Sequence, residues 1–343
     1  MMGRLGTPCK WISSAEDING IAKDSPTKKF NTQTTTITWL NNNPDKAEQR
    51  LLDIALANIT ALKLLAAEVA AQPSIMHMLR MGSDILPAYT ETSWSWFWQQ
   101  ADIKKLLEQQ FAELGEILQK NSIKSSFHPG QFCCIVSDKP DVVDRSLAEL
   151  EYHAAMARMM NFGKSKLDFK INVHLSGKLG AAGFDAAWQR MSPELRNCLT
   201  IENDEYQAGI DAILPLSKYV GIVLDVHHHF INSGEYFSAA DPRISQICDS
   251  WCGVRPTMHY SQSNWEYLSP FEDCLPSLEQ LVANVPRGRL RSHSDFYNHR
   301  LLNAWALEHL NWADIMCESK SKNLGVQQLI QQLESISSIF VFP

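Results

Sequence analysis

Apolar residues recur along this chain in two alternating patterns. Short dense runs occupy Met2–Cys9, Ile75–Arg80, Ser125–His128, Leu167–His174, Cys198–Asn203, Val220–Asp225, Pro256–Tyr260 and Ala313–Glu318. Their length and their flanking polar, Gly and Pro residues predict eight strands. Longer stretches with helical spacing separate them. The clearest runs from about Asp45 to Ala71, with Leu51, Ile54, Ala55, Ile59 and Leu62 on one face. Others cover about Lys104–Lys120 and Pro140–Met160, and a last helix covers about Asn323–Ile336. Strand and helix in alternation predict a parallel α/β sheet. Eight strand candidates predict a (β/α)₈ TIM barrel forming a single domain over residues 1–343. A doubly wound open sheet is the alternative. Only Ser261–Ser292 breaks the rhythm, with Trp265, Tyr267, Pro270 and Phe271 followed by a short helical run near Leu278–Val282. It is too long for an ordinary connection. It reads either as an insertion at the active-site face or as a surface excursion with its own apolar cluster.

The predicted strands end on residues that bind metals. His128, His174, Glu202, Asp225 with His228, His259 and Glu318 each stand at or just after such an end, and His293 follows the irregular segment. A barrel gathers the C-terminal ends of its strands at one face, where its chemistry lies. Carboxylates can bridge two ions and neutral imidazoles bind one. Five imidazoles and three carboxylates are too many for one divalent ion and suit two or three. Three divalent cations would outweigh three carboxylates, attract phosphate, activate water and stabilise both oxygens of a displacement. Taken singly, each residue has a plainer reading. A histidine at a strand end is often held by hydrogen bonds alone. Glu202 could cap a helix starting near Asp204, and His227-His228-His229 could be a solvated loop. His77, His153, His299 and His309 fall within predicted strands or helices and read as structural.

Composition narrows the function classes. The 343 residues are 45% hydrophobic with a net charge of −7. Such a field repels nucleic acid at long range. A nucleic-acid enzyme would need bound cations or a local basic rim, for which Lys10, Arg80, Lys178 and Arg291 lie near predicted strand ends. The eight cysteines are scattered, and Cys248 and Cys252 lack a second pair to complete a zinc site. With no signal-peptide pattern and no apolar run of about 18 residues, the expectation is a cytoplasmic protein with reduced thiols and no membrane partner.

Together the motifs closely resemble the UV damage endonuclease family. The resemblance starts at Arg4-Leu5-Gly6-Thr7-Pro8-Cys9 and continues through Thr35–Leu40 and Arg80–Pro87. It takes in His128-Pro129-Gly130-Gln131-Phe132, Asn172-Val173-His174-Leu175, Glu202-Asn203-Asp204 and Asp225-Val226-His227-His228. It closes with His259, His293-Ser294-Asp295 and Asp314–Lys320, and spans nearly the whole chain outside Ser261–Ser292. The resemblance implies a TIM barrel related to endonuclease IV, with two or three divalent metals, manganese being expected. It implies a monomer that acts on lesion-bearing double-stranded DNA. Incision would fall immediately 5′ of UV photoproducts and other distorting lesions, starting an alternative excision repair. Carried over by residue, His128 and His174 would hold one metal, and Asp225, His259 and Glu318 a second. Glu202 would bridge them, His228 and His293 would serve a third, and Asp295 would be a ligand or an orienting group. Glu202, His128, Asp225 and Glu318 would be central to catalysis, and Gln131 and Phe132 would probe the lesion.

Three positions depart from the family pattern. Phe132 replaces a tyrosine and loses its hydroxyl, Thr7 stands where an aromatic can occur, and Thr257 replaces a lysine that can be carboxylated. Trp265 and Tyr267 are candidates to replace the missing aromatic. Two other readings stay open on the residues alone: a metal-dependent sugar isomerase on the same barrel, and a lesion-binding protein without catalysis.

Overall fold

The computed structural model describes residues 3–130 and 132–339. Eight strands run in parallel: β1 (Leu5–Cys9), β2 (Met78–Met81), β3 (Lys124–Phe127), β4 (Lys170–His174), β5 (Leu199–Glu202), β6 (Gly221–Val223), β7 (Thr257–Tyr260) and β8 (Asp314–Cys317). Their spatial order is β6-β5-β4-β3-β2-β1-β8-β7. The two ends of that order meet through a single parallel bridge, Asp225 to His259, with the His259 N–H donating to the Leu224 carbonyl at 2.9 Å. The sheet is therefore a nearly closed barrel, as the strand count predicts, and not a doubly wound open sheet. Two of the predicted metal ligands form the seam.

The main helices are α1 (Pro44–Ala70), α2 (Ala101–Lys120), α3 (Pro140–Met159), α4 (Val226–Ser233), α5 (Arg300–Glu308) and α6 (Asn323–Ile339). Proline opens both α1 and α3, where its missing N–H costs no helical bond. The stripe Leu51, Ile54, Ala55, Ile59 and Leu62 on α1 is buried, as its spacing requires.

Several strands start later than their apolar runs suggest. Leu167 has φ 58, a left-handed conformation that no strand contains, so β4 begins at Lys170. Ile75 lies in a 3₁₀ turn, Ser74–Met76, and β2 begins at Met78. Met2, at the start of the first predicted strand, lies outside the described residues. At the other end β6 stops at Val223, because Asp225 becomes the N-cap of α4 and accepts from the His228 N–H at 2.7 Å. Gly234, at φ 77, ends α4 in the left-handed cap typical of glycine.

Alternation along the strands separates barrel interior from helix layer. A side chain added at Gly6 would lie 2.7 Å from Met316 Cε and 2.8 Å from Met78 Cγ, so these three positions share the interior. Thr7 then points outward and is fully buried under the helices, away from any DNA-facing surface.

Residues 261–292 form short helical turns at Trp265–Leu268, Ser269–Phe271, Leu278–Val282 and Arg287–Leu290. They build a satellite apolar cluster with Phe230, Ile231 and Leu302. Trp265 and Tyr267 are half-buried in that cluster, so the idea that they replace the missing probing aromatic is not supported.

Candidate metal centre

At the C-terminal mouth of the barrel an open cleft of about 660 Å³ is lined by His128, His174, His228, His293 and Glu318, with Arg80, Arg291 and Phe132. Its floor is built by the strand alternation. His174 and Glu202 are register partners across β4 and β5, so both point inward at one level. Glu202 lies at the centre. Its Oε2 is 3.3 Å from His128 Nε2 and 4.0 Å from His174 Nε2, and its Oε1 is 3.1 Å from His259 Nδ1 and 3.5 Å from His228 Nδ1. His259 Nδ1 is also 3.3 Å from Glu318 Oε1, and His228 Nδ1 is 3.7 Å from Asp225 Oδ2.

Three groups of donor atoms converge within 4.8 Å of one another: His128, His174 and Glu202; Glu202, Asp225 and His228; and Asp225, His259 and Glu318. The carboxylates of Glu202 and Asp225 each belong to two groups. His293 lies at the edge, donating from Nδ1 to the Glu318 carbonyl at 2.8 Å, which turns Nε2 toward the cleft side of the ring.

The donor set fits cations. Among the described residues, Asp225 Oδ2 and His174 Nδ1 are buried without a hydrogen-bond partner, and Glu202 Oε1 and His259 Nδ1 face each other at 3.1 Å without hydrogen-bond geometry. Buried polar atoms are normally satisfied, and a buried carboxylate oxygen without a donor is costly unless a cation faces it. Mixed imidazole and carboxylate ligands suit a divalent transition metal. The electrostatics agree. Burial raises the Glu202 carboxyl, but the His259 and His174 imidazoles outweigh it and hold the group well below the ordinary carboxylate range. Burial pushes Asp225 up to about 7, against the attraction of His228. Burial opposes charge on His228, yet Asp225, Glu202 and Glu205 raise it to about 9. Surplus carboxylate charge thus keeps cationic partners in the pocket.

Neighbouring amides and alcohols orient the ligands. Asn172, two residues before His174 on the same face of β4, donates to Glu202 Oε2 and accepts from Thr200 Oγ1 at 2.9 Å. Asn203 accepts from the Asp225 N–H at 2.8 Å and donates to the Asp225 carbonyl at 2.9 Å, extending the β5–β6 pairing by one side chain. Neither was singled out in the sequence as an orienting group, although i−2 and i+1 offsets from ligands were visible there.

Other expectations need correction. Glu202 caps no helix, since the chain turns through Asp204, which accepts from the Tyr206 and Gln207 N–H groups. His227-His228-His229 is the first turn of α4, and all three are buried. His228 enters the centre, His227 is held between Ser261 Oγ at 2.7 Å and Ser263 Oγ at 3.0 Å, and His229 pairs with Glu235 at 3.0 Å. Arg80 is no exposed rim residue. It forms a buried ion pair with Glu318. Asp295 is largely exposed and faces Lys320 at 3.4 Å, outside the ligand groups. Glu205, which sequence reasoning missed, is buried 3.9 Å from His228 Nε2 and 3.3 Å from Arg291. The acidic run after β5 was its only signal. His77, His153, His299 and His309 bond to backbone carbonyls elsewhere in the fold. Phe132 stands 85% exposed on the loop after His128, while Gln131 lies outside the described residues.

Comparison with known proteins agrees with this geometry. Residues 19–342 match the family described as UV-endonuclease UvdE. Relatives include the UV DNA damage endonuclease of Bacillus mycoides (strain KBAB4), 24% identical over 314 residues covering 88% of each chain. That of Bacillus pumilus (strain SAFR-032) is 25% identical over 275 residues, covering 76% of this chain and 75% of the relative. Among solved structures, that of SacUVDE has a TM-score of 0.73 at 21% identity and covers 98% of this chain and 99% of the other. Endonuclease IV from Thermus thermophilus has a TM-score of 0.50 at 13% identity, covering 80% of this chain and 94% of its own. Both share the barrel fold. With a family match over nearly its full length and a barrel that gathers the motif residues at one mouth, the chain belongs to the UV-endonuclease UvdE family.

Proposed function

We propose that this protein is a metal-dependent endonuclease that cuts lesion-bearing duplex DNA at the phosphodiester immediately 5′ of the damage. The supporting observation is the position of Glu202, whose two oxygens face imidazoles on opposite sides and belong to two neighbouring ligand groups. In this reading His128, His174 and Glu202 hold one ion, and Asp225, His259 and Glu318 hold another. Glu202 bridges, and His228 and His293 serve a third. Manganese is the expected metal. Such ions, when bound, would lower the pKa of water so that hydroxide is available near neutral pH, and would stabilise charge on the departing 3′-oxygen.

The chain's own residues do the rest. Asn172 and Asn203 fix the carboxylates. Arg291, at the cleft wall, offers a guanidinium to the DNA backbone despite the chain's net charge of −7. Phe132 presents a bare ring where it can wedge into a weakened base step, and Gln131, which precedes it in sequence, would take the displaced base's place. A damaged step unstacks at lower cost than an intact one, so the wedge selects by deformability and not by sequence. The products are a 3′-hydroxyl and a 5′-phosphate, which open an excision repair.

The test is incision of an end-labelled duplex carrying one pyrimidine photoproduct, with manganese, an undamaged duplex and a Glu202→Gln variant. A metal-dependent nick 5′ of the lesion is expected, reduced about a thousandfold in the variant. Tight binding without any nick would replace this reading by a lesion-binding protein. Neither binding nor nicking would point to a small-molecule substrate.

A further inference from the structure

The opposite mouth of the barrel holds a second cavity, of about 420 Å³. Five cationic side chains line it, Arg4, Lys124, Lys166, Lys170 and Arg255, against the carboxylates of Asp168 and Asp314. Both carboxylates are committed. Asp168 accepts the backbone N–H groups of Gly163, Lys164 and Ser165 at 2.8, 3.1 and 3.1 Å. Asp314 is shared among the Arg4 N–H at 2.9 Å, Lys124 Nζ at 2.8 Å and Arg255 Nε at 3.2 Å. Arg4 Nη1, Lys124, Lys166 and Arg255 also reach backbone carbonyls.

Lys170 is left over. It begins β4, shares the inward face with Asn172 and His174, and is 5% exposed. Its ammonium has no hydrogen-bond or ion-pair partner among the described residues, and it lines the cavity. The residue is largely buried and crowded by like charges, which disfavours its charged form. Burial and then the neighbouring Lys124 push the Lys170 pKa far down, and Lys124 itself is lowered by burial to about 8, with Arg4 and Arg255 adding to the effect.

We propose that this floor cavity is a binding site for a small phosphate-bearing anion, with Lys170 as its central ligand. An anion there would meet Lys170 directly, favour its protonated form and offset the like charges of the wall. The space takes a phosphate with a small organic group. Duplex DNA does not suit it, because a backbone phosphate on a wide rigid cylinder cannot reach a lysine so deeply recessed. The proposal is independent of the nuclease reading, since the site lies at the other end of the barrel from the metal cleft.

The test is calorimetric titration of the metal-loaded protein with inorganic phosphate, and separately with ribose 5-phosphate, at constant ionic strength. Wild type, Lys170→Met and Arg291→Ala are compared. Two saturable classes of sites are expected in wild type, one at the metal-loaded cleft and one at the floor, the second weakened at least tenfold by Lys170→Met and retained in Arg291→Ala, whose arginine belongs to the cleft. Lys170→Met is also expected to melt at a higher temperature than wild type in phosphate-free buffer. Tighter binding of the sugar phosphate would identify a monoester as the ligand, and equal binding would identify phosphate itself. Absence of the second class, or a second class that survives Lys170→Met, would overturn the proposal. Should Lys170→Met fail to fold, lysine acetylation of wild type with peptide mapping decides. Phosphate must then protect Lys170 selectively, and a lack of protection refutes the site.

Discussion

Asn203 shows how much of this centre depends on residues that are not ligands. Its side chain makes two hydrogen bonds with the backbone of Asp225, where the regular β5–β6 ladder has already ended. Without them Asp225 loses its fixed direction. Asn203→Ala is therefore expected to weaken metal binding about 10- to 100-fold, the range usual for lost orienting contacts, and to leave the far-ultraviolet circular dichroism unchanged. A metal titration measures it, and unaltered affinity would show that Asp225 is held by the barrel seam alone. At this scale the sequence was partly legible. Ligand identity follows from residue type and strand position. Whether a side chain of the right type faces the cleft does not, as Asp295 shows by turning to solvent beside Lys320.

The N-terminus of α4 gives Asp225 two duties. It caps the helix by accepting the His228 N–H, and its second oxygen, 3.7 Å from His228 Nδ1, belongs to the candidate ligand groups. Asp225→Asn keeps a capping oxygen, whereas Asp225→Ala removes it. Both variants should lose incision, but only the alanine should lose the cap, leaving it about 1 kcal/mol less stable than the asparagine in urea unfolding. Equal stability would mean that the cap contributes nothing here. The loop after His128 and the segment 261–292 separate in the same way. Phe132→Ala should weaken binding to damaged duplex about tenfold with metal content unchanged, because it removes an exposed stacking face. Replacing Trp265 and Tyr267 together by alanine should instead cost several kcal/mol of stability, since both pack in the satellite cluster. Damaged-duplex affinity measured well below that variant's melting temperature should stay as in wild type. Periodicity predicted α1 to within a residue at each end, because a long amphipathic helix carries its own signal. It placed strand starts poorly, because a buried parallel strand reads as a plain apolar run and the left-handed turn at Leu167 leaves no mark in composition.

For the whole molecule, acid sensitivity should come partly from histidines outside the ligand groups. His153 and His309 are buried and burial lowers each to about 4, below the ordinary 6.5. Their folded-state affinity for protons is thus lower than in the unfolded chain. The stability this gives is fully present above about pH 6.5 and lost as pH falls through about 4, roughly 3 kcal/mol for each. Urea unfolding of metal-stripped protein at pH 7 and pH 4.5 checks the sign. A His153→Gln, His309→Gln double variant should lose less stability between those pH values than wild type. The sequence by itself determined the barrel class, because eight apolar runs separated by amphipathic helices have few ways to bury their faces. It also determined which residues were chemically able to bind metal, because they sit at strand ends and strands in a barrel end together. The tertiary structure alone decided that Asp225 and His259 close the seam, that Arg80 pairs with Glu318, and that Glu205 joins the cleft. It alone set Lys170 in the cavity at the far mouth. Those facts depend on the shear between strands and on which side chains meet across the barrel, distances that separate residues by tens to hundreds of positions and that no local pattern encodes.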